Sequence, residues 1–259
     1  MPFAPVDGGR RLFYRFDGPE DAPVVIFSNS LGTDHTLWDA QVAVLSKRLR
    51  VLRYDTRGHG RSDAPDGEYV MDDLARDVLV LLDGLGIERV RFCGLSMGGA
   101  IGQWLGANAP ERIERLVLAN TGAIFGSPEV WQQRLEAVRT GGMAAVTEAV
   151  IQRWFTQGFI ARAPDAVERV REILLATPAQ GYAGCCAALR DVDYRPLLPR
   201  IALPTLVIGG VHDGATPPER AEELAGKIPH ARLVMLDASH LAAVEQAEPF
   251  NRALADFLE

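Results

Sequence analysis

The chain has 259 residues, of which 47% are hydrophobic and 24% are charged. This length and composition suit one large folded domain with its own core, and they exclude both a disordered chain and a membrane-embedded one. The formal net charge of -7 argues against nucleic acid or an anionic membrane surface as a partner.

The amino terminus lacks the basic start and apolar run of a secretory signal, and no apolar run approaches the ~20 residues of a membrane span. The cysteines, Cys93, Cys185 and Cys186, form no disulfide framework, because two are adjacent and one falls in an expected buried strand. Neither a metal-ligand spacing nor a nucleotide-binding loop occurs. We therefore expect a cytoplasmic protein with no metal, no cofactor and no membrane contact, and a homo-oligomer remains open.

The first part of the chain alternates strand and helix patterns. The predicted strands are 11–16, 23–27, 51–55, 90–93 and 115–121, and the predicted helices are 36–49 and 69–85. Such alternation is typical of βαβ units, so we expect an α/β fold built on a mostly parallel sheet.

Two loops follow predicted strands at the carboxyl edge of this sheet, where open α/β sheets bind their ligands. The first, residues 28–33, consists mostly of small residues, and we expect the Leu31 N–H to serve as a donor to an oxyanion. The same residues also suit a plain polar turn. The second loop contains His59, which glycines flank, and we interpret it as a structural residue rather than a base.

Residues 94–98 read GLSMG and fit the G-x-S-x-G pattern, in which a sharp strand-to-helix turn exposes a serine hydroxyl above the sheet. Glycines two positions on either side of Ser96 remove side chains that would collide there. A helix that begins after Ser96 points backbone N–H groups at a developing oxyanion, and Met97 is the expected donor. A solvated serine in a glycine-rich turn has the same local sequence, so the residues downstream decide between the two.

From residue 122 to residue 199 the periodicity is helical, with no convincing strand. An all-helical insertion directly after a carboxyl-edge loop is well placed to cap an active site. Its breaks predict about four short helices. The breaks fall at Gly141, Gly142, Gly158, Pro164 and Pro178.

Strand patterns resume at 204–210 and 231–236, with helices at 219–228 and 249–258. Asp213 and His240 lie in the loops directly after these two strands, as Ser96 does after its own. The order serine, aspartate, histidine at one sheet edge is the arrangement of a catalytic triad on an α/β-hydrolase sheet.

The sequence resembles the α/β-hydrolase superfamily over nearly its whole length, and within it the 3-oxoadipate enol-lactonases of aromatic catabolism. The segments that carry the resemblance are 29–33, 54–62, 92–99 and 181–191. The resemblance implies an α/β-hydrolase fold, with a mostly parallel eight-stranded sheet flanked by helices and an all-helical cap. The core would comprise residues 1–121 and 200–259, and the cap residues 122–199.

The implied reaction opens 3-oxoadipate enol-lactone, a small anionic lactone, to 3-oxoadipate through an acyl-enzyme. Ser96 would be the nucleophile, His240 the base and Asp213 the group that orients the imidazole. The N–H groups of Met97 and Leu31 would bind the oxyanion.

A carboxylated substrate in a protein of net charge -7 needs a local cation, which the cap can supply. The candidates are Arg134, Arg153 and Arg190, with Trp131 and Trp154 as apolar walls. Arg190 is equally suited to an ion pair with Asp191 or Asp193.

Other hydrolases of the same fold remain alternatives, since a carboxylesterase, a perhydrolase and a carbon–carbon bond hydrolase share this triad. Dehalogenases and epoxide hydrolases are excluded, because the resemblance would then require an aspartate at the position of Ser96. A non-catalytic ligand-binding protein on the same fold is the alternative from another class, and an intact triad argues against it.

Overall fold

The computed structural model describes residues 2–259 and contains one eight-stranded sheet. Its strands are β1 (Phe3–Val6), β2 (Arg10–Asp17), β3 (Val24–Ser28), β4 (Arg50–Tyr54), β5 (Val90–Leu95), β6 (Ile113–Ala119), β7 (Thr205–Gly210) and β8 (Arg232–Leu236). Their order across the sheet is β1-β2-β4-β3-β5-β6-β7-β8. The pairs β1/β2 and β2/β4 are antiparallel and all the others are parallel. The predicted mostly parallel eight-stranded sheet is confirmed.

Helices cover both faces of the sheet and make up the segment between β6 and β7. They are α1 (Asp39–Leu45), α2 (Met71–Gly84), α3 (Met97–Asn108), α4 (Pro128–Gly141), α5 (Ala144–Trp154), α6 (Gln157–Arg162), α7 (Pro164–Ala176), α8 (Ala179–Arg190), α9 (Pro218–Lys227), α10 (Ala242–Glu245) and α11 (Ala247–Leu258). Within residues 2–259, no helix combines the length and apolar character that crossing a bilayer requires.

The central strands are buried on both faces, which explains why their sequences read as continuous apolar runs. Every residue of β5 and of β7 is buried. A parallel sheet covered by helices on both faces selects such runs rather than an alternating pattern. The parallel strands β3, β4, β5, β6, β7 and β8 bring their carboxyl ends to one edge, and the loops that leave this edge carry the candidate site.

Near the amino terminus, one predicted helix needs correction and one strand was not predicted. The predicted helix 36–49 is a 3-10 turn, His35–Trp38, followed by α1, because the Asp34 side chain accepts the Thr36 N–H at 2.9 Å and starts the turn. The strand Phe3–Val6 was not recognised from the sequence. It has only four residues at the sheet edge, where it pairs with β2 alone.

The insertion between β6 and β7 contains five helices, α4 to α8, rather than about four. Gly158 does not interrupt a helix, since it lies in the first turn of α6. The break falls just before, where the Thr156 hydroxyl accepts the Phe159 N–H at 3.2 Å and caps α6. A side-chain cap of this kind starts a helix without glycine or proline, which is why the break was misplaced.

Helix α8 is fixed tightly to the core. A Cβ atom on Gly181 would lie 2.2 Å from the Gly58 carbonyl oxygen, so only glycine allows this approach of two backbones. The Tyr69 N–H donates to the Gly184 carbonyl at 3.1 Å one turn further along α8. The helix is therefore held in a set position above the loop that follows β4.

Candidate active site

Ser96 occupies a strained turn between β5 and α3. Its φ of 57° and ψ of -112° are unusual for a residue with a side chain. A Cβ on Gly94 would lie 2.1 Å from the Gly98 carbonyl oxygen, and one on Gly98 would lie 2.2 Å from the Ser28 carbonyl oxygen. The two glycines thus permit the sharp turn that the sequence pattern predicts.

Asp213 and His240 meet in the loops after β7 and β8. The imidazole Nδ1 of His240 lies 2.9 Å from Asp213 Oδ2 and 3.1 Å from Oδ1. Because an ionised carboxylate only accepts hydrogen bonds, Nδ1–H is the donor, and Nε2 is left to act as a base. Ser96 joins this pair by lining the same cavity as His240.

Two residues that the sequence analysis missed hold the Asp213 carboxylate. The Thr216 hydroxyl donates to Oδ2 at 2.8 Å, and the Asn120 amide donates to the same oxygen at 3.1 Å. The N–H groups of Ala215 and Thr216 donate to Oδ1 at 2.8 and 2.9 Å. The sequence signal for Asn120 was its place at the carboxyl end of a predicted strand. In the structure its φ is 44°, which is unusual for a residue with a side chain.

These contacts determine the charge of Asp213. Burial alone would raise its pKa, but the His240 charge and the hydrogen bonds from His240, Thr216 and Asn120 outweigh burial and lower the pKa from its ordinary value. Asp213 therefore remains a carboxylate at neutral pH.

The predicted oxyanion donors, Leu31 and Met97, lie in the loop after β3 and at the start of α3. Among residues 2–259, the neighbouring N–H groups have partners: Gly32 donates to His59 Nε2 at 2.8 Å, and Gly98 donates to the Asn29 carbonyl at 3.0 Å. The N–H groups of Leu31 and Met97 donate to no protein atom in that range. Both are available to a ligand.

His59 is a structural residue, as its sequence context indicates. It is fully buried, and burial lowers its pKa to about 4, so the ring is neutral at physiological pH. Its Nδ1–H donates to the Arg57 carbonyl at 3.2 Å while Nε2 accepts from Gly32. The imidazole thereby fixes the loop that carries Leu31.

A cavity of about 550 Å³, counting its mouth, lies between the sheet edge and the insertion. Ser96 and His240 lie on its core side, and Trp131, Arg134, Arg153 and Trp154 lie on its helical side. Its lining further includes Ser30, Leu31, Phe125, Val130, Val150, Tyr182, Leu189, Ala215 and Thr216. Four of the five predicted substrate contacts therefore line the same space as the predicted nucleophile and base.

Arg190 is the exception and does not line the cavity. Its guanidinium donates to Asp191 at 2.8 and 2.9 Å, to Glu68 at 2.9 Å and to Gln132 at 3.0 Å. These bonds occupy the cation at the protein surface, so we correct the sequence-based assignment and exclude Arg190 from the site.

The histidine loop is bonded directly to the insertion. The buried Glu245 accepts the Ser239 N–H at 3.0 Å and the Thr156 N–H at 3.3 Å, and Leu241 N–H donates to the Trp154 carbonyl at 3.1 Å. The Trp154 ring stacks on the His240 imidazole, with centroids 6.3 Å apart and planes at 27°. The end of α5 and the His240 loop therefore form one rigid unit.

Comparison with known proteins identifies the family. A family model described as the alpha/beta hydrolase fold matches residues 23–247. The chain belongs to this α/β-hydrolase family. The predicted fold class is thereby confirmed, including the helical insertion α4 to α8.

Several individual relatives of this α/β hydrolase are enol-lactonases, a narrower group than the fold family. The 3-oxoadipate enol-lactonase 2 of Acinetobacter baylyi is 44% identical over 94% of this chain and 91% of its own length. The 3-oxoadipate enol-lactonase 1 of the same organism is 40% identical over 97% of this chain and 94% of its own. The crystal structure of the enol-lactonase from Burkholderia xenovorans matches with a TM-score of 0.97 and 49% identity over 99% of both chains. The resemblance drawn from the sequence is confirmed.

Proposed function

We propose that this α/β hydrolase opens 3-oxoadipate enol-lactone to 3-oxoadipate in aromatic catabolism, with Ser96, His240 and Asp213 as its triad. The observation that carries the proposal is the shared cavity, in which Ser96 and His240 face Arg134, a cation that lies over the Trp131 ring and has no carboxylate partner among residues 2–259. Identities of 40 to 49% with enol-lactonases over nearly the whole chain support the same substrate.

In the first half of the reaction, Ser96 Oγ attacks the lactone carbonyl carbon while His240 Nε2 takes its proton. The negative charge on the carbonyl oxygen is stabilised by the N–H groups of Leu31 and Met97. Asp213 holds the imidazole through Nδ1–H and stabilises its positive charge. The ring C–O bond then breaks, the enolate oxygen takes the proton from His240 Nε2, and the enol becomes the ketone, which leaves His240 neutral for the second half.

The second half releases the acid. A water molecule gives a proton to His240 Nε2 and attacks the acyl carbon, and the same two N–H groups stabilise the second oxyanion. Ser96 leaves and recovers its proton from His240. The product carries one more carboxylate than the substrate.

Recognition of the substrate carboxylate falls to Arg134 in this proposal. The residue is half-buried at the cavity, and its guanidinium lies over the Trp131 ring, 4.8 Å from the centroid. A cation shielded from water and free of acidic partners attracts a carboxylate strongly. Arg153, more exposed at the same cavity, supplies a second positive charge, and Trp131 and Trp154 form apolar walls.

We also propose that residues 122–199 act as a cap over a core of residues 1–121 and 200–259, since α4 and α5 supply the cavity side opposite Ser96. A cytoplasmic location and a homo-oligomeric state stay predictions.

The function is tested by the loss of ultraviolet absorbance of 3-oxoadipate enol-lactone, generated in situ, on addition of the protein. We expect hydrolysis at a kcat/KM well above that for a p-nitrophenyl ester of similar size, because only the lactone offers a carboxylate to Arg134. Turnover of the p-nitrophenyl ester without turnover of the lactone would contradict the proposal and favour a general esterase.

Replacing Arg134 with glutamine should lower kcat/KM for the enol-lactone roughly 10- to 100-fold, because a charge-assisted bond to the carboxylate is lost. With α-angelica lactone, the same ring bearing methyl in place of carboxymethyl, the loss should stay within about threefold. The matched control is Arg139→Gln on the same helix, whose side chain is exposed and lies 3.7 Å from Glu68. Equal losses of kcat/KM on both lactones would contradict the proposed role of Arg134 in carboxylate binding.

A further inference from the structure

Two hydroxyl groups at the cavity have no acceptor for their own O–H. Among residues 2–259, Ser30, Thr56, Tyr182 and Tyr194 have buried hydroxyls whose O–H lacks an acceptor. Of these four residues, Ser30 and Tyr182 line the cavity that contains Ser96. Their exposed fractions are 1% and 0%. A buried hydroxyl without a partner destabilises the fold, and at a ligand cavity the ligand can provide the missing acceptor.

Ser30 immediately precedes Leu31, whose N–H is a proposed oxyanion donor. The Thr33 N–H and hydroxyl donate to the Ser30 carbonyl at 3.2 and 2.9 Å and fix its backbone. Ser30 Oγ itself has no hydrogen-bond partner, and the residue lines the cavity that contains Ser96. A donor held there needs no reorganisation when negative charge develops on the substrate.

Tyr182 belongs to α8 and lines the same cavity, near Arg134. Its ring packs against Gly32, since a Cβ there would lie 3.0 Å from Tyr182 Cε2. Burial raises the pKa of Tyr182, and the charge of Arg134 and a hydrogen bond from its guanidinium to the phenol oxygen oppose that rise. The phenol therefore stays protonated beside a cation, with its own O–H free to donate. The close contact between Gly181 and Gly58 keeps the tyrosine in place.

We propose that both hydroxyls bind the substrate: Ser30 donates to an oxygen of the reacting ester group, and Tyr182 donates to the substrate carboxylate beside Arg134. This inference rests on the proposed function and assigns two further residues to it. An unpaired hydroxyl then discriminates against ligands that lack the matching acceptor, because it would stay buried and unsatisfied.

The experiment compares Tyr182→Phe and Ser30→Ala with wild type on the enol-lactone and on α-angelica lactone. Tyr182→Phe should lower kcat/KM roughly 10- to 100-fold for the carboxylated lactone and less than about threefold for the neutral one. Ser30→Ala should lower kcat about tenfold or more for both lactones, with KM nearly unchanged, because it acts on the reacting ester.

Melting temperature separates binding from a structural role. Both variants delete a buried hydroxyl whose O–H has no acceptor, so their melting temperatures should stay within a few degrees of that of wild type. The matched controls are Tyr194→Phe and Thr56→Val, which delete the same kinds of group away from the cavity. Both controls should keep wild-type kinetics on both lactones.

The kinetic and melting results distinguish failure of the proposed function from failure of this inference. If wild type does not hydrolyse the carboxylated lactone, the proposed function fails and this inference fails with it. If wild type hydrolyses it and both variants match wild type, this inference alone is overturned. Equal losses on the two lactones for Tyr182→Phe, or lowered melting temperatures with the losses, would overturn it in favour of a structural role.

Discussion

Replacing Ser96 with alanine should reduce kcat for the enol-lactone on the order of 10⁵- to 10⁶-fold, because the covalent route through the acyl-enzyme is removed. The remaining turnover would come from the oxyanion donors and from substrate binding, which the substitution leaves in place. The measurement is the absorbance loss of the enol-lactone at high enzyme concentration, together with labelling by a fluorophosphonate probe. Wild type should be labelled on Ser96 and the variant should not.

The alanine variant should keep the wild-type melting temperature within a few degrees, since alanine meets the same backbone strain at φ 57° as serine. An alanine variant that still hydrolyses the lactone at more than about a hundredth of the wild-type rate would exclude Ser96 as nucleophile. Failure of wild type to react with the probe would instead favour a ligand-binding protein on this fold.

The second large effect is expected from Asp213→Asn, which should lower kcat on the order of 10⁴-fold. An asparagine amide can donate to His240 Nδ1, which places the ring proton on Nε2 and leaves no base facing Ser96. Thr216 and Asn120 hold the wild-type carboxylate oxygens, and this network makes a rearrangement of the loop costly. The measurement is kcat on the enol-lactone over the pH range in which wild type is stable.

The chain contains a matched control for this substitution. Asp237 lies 2.8 Å from His212 Nε2, but both side chains are exposed and outside the Ser96 cavity. Asp237→Asn removes a histidine–carboxylate pair of similar length without touching the proposed triad, so it should keep wild-type activity. A similar loss in both variants would indicate a general effect of charge rather than control of the His240 tautomer.

The pKa shift of Asp213 also has a consequence for stability. Its folded-state pKa is lowered, so the associated stabilisation is present above the ordinary carboxylate pKa. It is lost as the pH falls through the folded-state value. The free energy of unfolding of Asp213→Asn should therefore fall less on acidification than that of wild type.

Local patterns were enough to predict Ser96, Asp213 and His240 as a triad. Each of the three lies directly after a strand whose apolar run is unmistakable, and parallel strands end at one edge whatever the details of packing. The turn at Ser96 needs glycines at two positions, and such a requirement is visible in the sequence itself. The strand Phe3–Val6 lacked any comparable signal, because four residues at a sheet edge have little apolar pattern.

Helix periodicity was not enough for the substrate contacts. It shows that Trp131 and Arg134 share a face of α4, but not whether that face meets the cavity or the solvent. From the sequence, Arg190 was as plausible a substrate contact as Arg134. In the structure its guanidinium forms hydrogen bonds to Asp191, Glu68 and Gln132 instead. The orientation of a helix about its axis depends on every surface that packs against it.

The sequence alone determined the sheet and the turn at Ser96, and it predicted the order of the proposed triad, because these depend on short-range apolar patterns and on glycine positions. Only the tertiary structure decided that Arg134 and Arg153 line the cavity, that Asn120 and Thr216 hold Asp213, and that the hydroxyls of Ser30 and Tyr182 lack acceptors for their O–H. Each of these facts depends on contacts between residues far apart in the chain. Such contacts leave no local pattern to read, since any polar side chain can find or lack a partner once the chain has folded.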